Sequence, residues 1–174
     1  MAMELDSKDN THWYALHVKS RHEFQVFERL TGAGVETFLP SWKKNSQWKD
    51  RNKIIQFPLF PGYLFVRTDN NHAARLTILK TKGVVRLLGT IPGEPEPVPD
   101  EQVLSLKKII DTGINLDPFP YLREGQRVRI IRGPLAGIEG ILAQKPNQNY
   151  LVLSVDIISQ STAVTIEAGD VETV

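Results

Sequence analysis

The sequence predicts an α+β fold, an antiparallel sheet with flanking helices followed by a small β-barrel. Three observations carry this expectation. Runs with strand and helix periodicity alternate over the first two-thirds of the chain, and beyond residue 121 only short strand-like runs separated by turn residues remain. The charge also changes sign at that junction. Residues 1–111 hold sixteen Lys and Arg against thirteen Asp and Glu, and residues 112–174 hold five against seven. Two units with different partners fit that asymmetry better than one uniform surface. The expected division is a disordered tail over 1–11, a first domain over 12–112, a linker over 113–121 and a barrel over 122–174.

Each element has its own reason. WYALHV (Trp13 to Val18) is an aromatic and β-branched run, hence a strand. HEFQVFERL places Phe24, Phe27 and Leu30 at helical spacing, and Gly32 and Gly34 stop the helix. VETFLP returns to strand, and KKNSQWKDRNK (Lys43 to Lys53) reads as a hairpin tip or mobile loop. Ile54 to Thr68 is a long strand region interrupted at Pro61-Gly62, HAARLTILKT a short helix, and VVRLLG another strand. IPGEPEPVP is extended, because the proline ring fixes its backbone angle and removes donors. DEQVLSLKKIIDT has Asp100 as expected N-cap and a helical stripe of Val103, Leu104, Leu106, Ile109 and Ile110. GINLDPFPY lacks periodicity and is the linker candidate. QRVRIIRG, GILAQ, YLVLSVDII and TAVTIE then supply the barrel strands.

Chemistry is hard to find. There are no cysteines, and the four histidines (His12, His17, His22, His72) have no metal-ligand spacing. Phosphate-loop, dinucleotide and nucleophile-elbow signatures are all missing. The expectation is a binding protein, with no enzymatic activity, cofactor or metal. No run of 18 apolar residues exists and the first ten residues are acidic, so the chain reads as a cytoplasmic monomer without a membrane segment.

One stretch resists a structural explanation. FPLFPGYLF (Phe57 to Phe65) holds four aromatic rings and shows no polar face when drawn as a strand. Either it is buried on both sides or one side is a binding site. In the barrel, REGQRVRIIRGPLAGIEGIL sets Gly125, Gly133, Gly137 and Gly140 around a strand and a turn. This resembles the KOW motif. WYAL, the first helix with its basic approach, and PLFPGYLFV resemble the N-terminal domain of the NusG family of transcription elongation factors. That domain followed by an SH3-like KOW barrel is the architecture of the family. PLFPGYLFV, PYLREGQRVRI and SVDIISQSTAVTIE look closest to its specialised UpxY-like and RfaH-like antiterminators.

The resemblance implies an antitermination and processivity factor that suppresses pausing and termination, on specific operons. It would bind the clamp helices of the RNA polymerase β′ subunit through Phe60, Pro61, Gly62 and Tyr63, with Trp13 and Tyr14 near the same sheet. Alternation would part Phe60 from Tyr63, and a kink at Pro61-Gly62 would reunite them. Lys19, Arg21 and His22 match a region that contacts non-template DNA in RfaH-like relatives, or form a solvated turn. Lys43, Lys44, Trp48, Lys49 and Arg51 fit upstream DNA or RNA, or a solvated loop. The segment Ala74 to Thr77 aligns with a gate-loop contact, but the His-Thr-Thr-Thr run is not there. At the barrel tip, Ile158, Ser159 and Gln160 replace the aromatic, glycine and arginine of housekeeping NusG, which argues against Rho. Ile157, Ile158 and Gln160 leave a small-subunit ribosomal protein as partner. Alternation exposes one of the two isoleucines unless a bulge buries both. The alternative reading is a housekeeping NusG-type factor that couples polymerase to Rho or the ribosome. YLVLSVDII is rich in β-branched residues, so the barrel is expected to stay a barrel.

Overall fold

The computed structural model describes residues 10–174; the expected tail falls largely outside them, as does the side chain of Trp48. The first domain is built on β1 (His12–Val18), β2 (Glu36–Phe38), β5 (Tyr63–Thr68), β6 (Val84–Leu87) and β7 (Pro97–Val98). These pair in the order β2-β5-β1-β6, with β7 also against β1, and all pairs are antiparallel. Helices α1 (Glu23–Gly32) and α2 (His72–Leu79) contribute to one face, and α3 (Asp100–Asp111) covers the other.

Strand alternation divides the sheet cleanly. Tyr14, Leu16 and Val18 of β1 and Leu64 and Val66 of β5 join Val26, Leu30 and Ile78 of the helices in one core. Trp13 and Ala15 of β1 and Phe65 of β5 join Val103, Leu106 and Ile109 of α3 in the second. The first core draws only on residues 14–87. The second runs on without a break into the barrel, through Leu151, Leu153, Val155 and Ile158.

Between the sheet strands the chain leaves as a two-stranded ribbon, β3 (Ser41–Trp48) and β4 (Arg51–Pro58), paired from Ser41↔Pro58 to Trp48↔Arg51. Of the two expectations for Lys43 to Lys53, hairpin tip or mobile loop, the first holds, and the hairpin is longer than the polar run suggested. Its residues satisfy each other's backbone groups, which needs no apolar pattern.

The second unit contains β8 (Asp117–Phe119), β9 (Arg127–Ile130), β10 (Glu139–Lys145), β11 (Gln148–Val155), β12 (Gln160–Ile166) and β13 (Val171–Thr173). They pair antiparallel in the order β13-β9-β10-β11-β12-β8. β8 lies inside the stretch expected to be linker, where Asp117, Pro118 and Phe119 pair with β12. Pro118 is tolerated because β8 is an edge strand. Gly140 has a plain packing reason: a Cβ there would stand 2.6 Å from the carbonyl oxygen of Val152 on β11. The α3 N-cap is Pro99 rather than Asp100. Asp100 is the first helical residue, where its charge favours the dipole without a capping bond.

Candidate functional site

The segment Leu59 to Gly62 leaves the ribbon and turns into β5. Gly62 sits at φ +85°, a left-handed conformation that costs glycine nothing. Both of its backbone groups are held. Its N–H donates to Oε1 of Glu23 at 2.8 Å, and its carbonyl accepts from the Val18 N–H at 2.9 Å. Glu23 is buried at the start of α1, and the helix geometry aims it across 39 residues of sequence at this turn. A carboxylate in a first helical turn invites a dipole explanation; its partner lies too far along the chain for sequence spacing to reveal.

The turn decides where the rings go. Phe60 packs edge-on against Phe65, with centroids 6.5 Å apart, and Tyr63 stacks on His17 at 5.2 Å. Phe60 lies within the second core and Tyr63 packs against it, so the kink brings both to one side of the sheet. Trp13 belongs to that side as well, under the Lys107 ammonium at 4.5 Å, with Phe38 beside it. Tyr14 is on the opposite face, in the core closed by α1 and α2, and so is removed from any site on this side.

This aromatic face is not open. Phe60 is 1 % exposed and Trp13 3 %, and Tyr63 is half-buried. The barrel lies against the same region in two places. Trp42, Phe57, Leu59 and Pro61 face Phe119 and Tyr121 across a cleft of about 340 Å³. Along α3, Gln102, Ser105 and Leu106 line a crevice of about 270 Å³ with Ile141, Leu153 and Val155, and Lys108 Nζ donates to the Ala136 carbonyl at 2.8 Å.

A family model described as "Transcription termination factor nusG" matches residues 11–107, more than half of the chain. The chain belongs to the NusG family. Over 173 residues it is 26% identical to the transcription termination/antitermination protein NusG of Pseudomonas aeruginosa, covering 93% of this chain and 98% of that protein. The Borreliella burgdorferi NusG is 24% identical, with 92% and 97% covered. A solved structure described as "Domain interaction in Thermotoga maritima NusG" shares the fold at a TM-score of 0.55 and 22% identity, covering 94% of this chain and 97% of that one. The protein is therefore a NusG-family transcription termination/antitermination factor, from a family of transcription factors rather than enzymes. No helix among the described residues is long and apolar enough to cross a membrane.

The remaining candidate residues separate in space. Lys19 and Arg21 are exposed on the tight turn between β1 and α1, with Arg21 at φ +63°. His22 is half-buried, and its Nδ1 is 2.9 Å from the Ser20 carbonyl, which leaves the ring less free than its neighbours. Lys43, Lys44, Lys49 and Arg51 are exposed on the ribbon. On the barrel tip, residues 156–158 form a 3-10 turn and Ser159 adopts φ +49°. The turn breaks strand alternation. Ile158 is 7 % exposed inside the shared core and Ile157 packs against it, while Gln160 lines the cleft facing Pro61. The arrangement thus points the barrel-tip candidates at the first-domain candidates. Leu59 and Phe65 of the same aromatic stretch also build this face, together with Phe38 and Lys107, and nothing in the local pattern around the last two singled them out.

Proposed function

We propose that this NusG-family chain is an antitermination and processivity factor that docks on the RNA polymerase β′ clamp helices, suppressing pausing and termination on specific operons. Phe60, Pro61, Gly62 and Tyr63, with Trp13 behind them, form the docking face. The observation that carries the reading is the Gly62 turn, which gathers Phe60 and Tyr63 on one apolar face whose outer cover comes partly from another domain. Buried aromatics dominate interfaces of this kind, and a helix pair with apolar anchors fits such a face. Docking then requires the barrel to swing away, and the same movement frees Ile157, Ile158 and Gln160 for a ribosomal partner. Lys19 and Arg21 stand ready to track phosphates of the non-template strand.

A housekeeping role is the second reading, favoured by the relatives, which carry the general NusG name. The barrel tip, with Ile158, Ser159 and Gln160, speaks against coupling to Rho. Transcription of a long template ending in a terminator separates the two: protein-dependent readthrough supports the first, and increased termination with Rho the second. For the docking face itself, Tyr63→Ala should abolish retention by the isolated clamp helices while leaving the circular dichroism unchanged. Undiminished retention would reject the face.

A further inference from the structure

Glu23 is out of keeping with an ordinary acid in a first helical turn. A carboxylate gains from the helix dipole while still in water, yet Glu23 is only 4 % exposed. It has no ion pair among the described residues. The N-cap of α1, His22, makes no side-chain capping bond. Burying a carboxylate without a cation is costly unless its oxygens are hydrogen-bonded, so the bond to Gly62 is what offsets the burial.

That bond joins two turns. Phe60 to Tyr63 is a four-residue turn closed by the Tyr63 N–H, which donates to the Phe60 carbonyl at 3.0 Å. Pro61 at its second position and Gly62 at its third, with φ +85°, fit a type II turn. The closing bond leaves the N–H and carbonyl of Gly62 to find partners outside. The carbonyl accepts from Val18, the last residue of β1, and the N–H donates to Glu23, the first of α1. Gly62 thus bridges the two ends of the turn over residues 19–22 and is tied to both elements. His17, next to Val18, carries the ring that stacks on Tyr63.

We propose that Glu23 is a positioning residue for the docking face, holding the Phe60–Tyr63 turn in its binding shape before the partner helices arrive. The inference rests on docking at Phe60 to Tyr63. A turn already in its bound shape loses less freedom on association, so the hold is felt as affinity. Without it the Gly62 N–H lacks an acceptor, and the middle peptide of the turn can rotate because glycine leaves positive φ freely. Tyr63 follows directly in the chain, so its stack on His17 loosens as well. What the turn needs from residue 23 is an acceptor at the right reach, not a charge.

Two variants separate these. Glu23→Gln keeps an acceptor at the same reach without the charge. Glu23→Asp keeps the charge near the helix N-terminus but is one methylene too short. The full-length proteins are titrated with the isolated clamp helices, with Tyr63→Ala beside them. Glu23→Gln should stay within roughly threefold of the wild type, and Glu23→Asp should bind roughly tenfold more weakly. Amide exchange gives a readout that needs no partner. In Glu23→Asp the Gly62 amide should exchange roughly tenfold faster, and those of Leu64 and Val66 in β5 should change far less. Wild-type affinity in Glu23→Asp, with binding lost in Tyr63→Ala, would overturn the role of Glu23 and leave the docking face standing. Weak binding by Glu23→Gln and strong binding by Glu23→Asp would make the charge decisive and reject the proposal. So would unchanged exchange at Gly62, or an acceleration as large in β5. Undiminished binding by Tyr63→Ala would remove the docking face and this inference with it.

Discussion

The two faces of the first-domain sheet are made alike and used differently. Both alternate from the same strands, β1 and β5, and both bury large apolar side chains. One face is closed by α1 and α2 from within the domain. The other is closed by α3 and then shared with the barrel, so part of its burial comes from a unit more than forty residues further on. A core made of local elements holds its domain together. A core shared across a domain boundary can open without unfolding either part, because each side keeps its own strands and hydrogen bonds.

The largest effect should come from the local core. Leu64 is fully buried there, and Leu64→Ala should cost about 2–5 kcal/mol in urea unfolding of the first domain. A loss confined to the barrel transition would break the distinction between the faces.

A smaller effect is expected at the shared contact. Gln102, on α3 in the crevice facing the barrel, has a buried Oε1 with no partner among the described residues. An unsatisfied acceptor opposes closure and is relieved when the domains part. Gln102→Leu should favour the closed arrangement by about 1 kcal/mol and so weaken binding to the clamp helices roughly fivefold. Titration of the wild type and the variant checks this, and unchanged affinity would show that Gln102 does not resist closure.

The residues explain how far sequence reading reached. Trp13 to Val18, α1 and α3 were legible because their periodicity is strong and local. The ribbon was only partly so: its tip was recognisable from charge, but its strands lack alternation because neither face is buried for most of its length. The kink that sets Phe60 beside Tyr63 was legible in Pro61-Gly62, but the Glu23 carboxylate from α1 that holds it was not, because it lies 39 residues away in the chain. β8 was hidden by its proline and brevity. The burial of Ile158 followed from a 3-10 turn where a continuous strand was the simpler expectation.

The smallest effect concerns acid. The Arg129 guanidinium, hydrogen-bonded to Glu139, holds that carboxyl below its ordinary value of 4.5. A carboxyl with a lowered folded pKa adds stability above its unfolded value, and the gain is lost as pH falls below 4.5 through the folded value. Glu139 also lines the crevice between α3 and the barrel. Glu139→Gln should slightly lower the barrel's urea midpoint at neutral pH and flatten its fall in acid. The pair is solvent-accessible, so the change should be small. An identical acid profile in wild type and variant would remove this pair from the account.

One measurement bears most directly on the shared face. The chain has no cysteine, so Lys108→Cys and Ala136→Cys create a single pair where α3 meets the barrel, to be bridged by a short bismaleimide. Bridged protein should fail to be retained by the clamp helices, and the same double variant left unbridged, or capped singly at each thiol, should be retained. Equal retention of the bridged form would mean that the helices dock elsewhere and that the barrel does not cover the site.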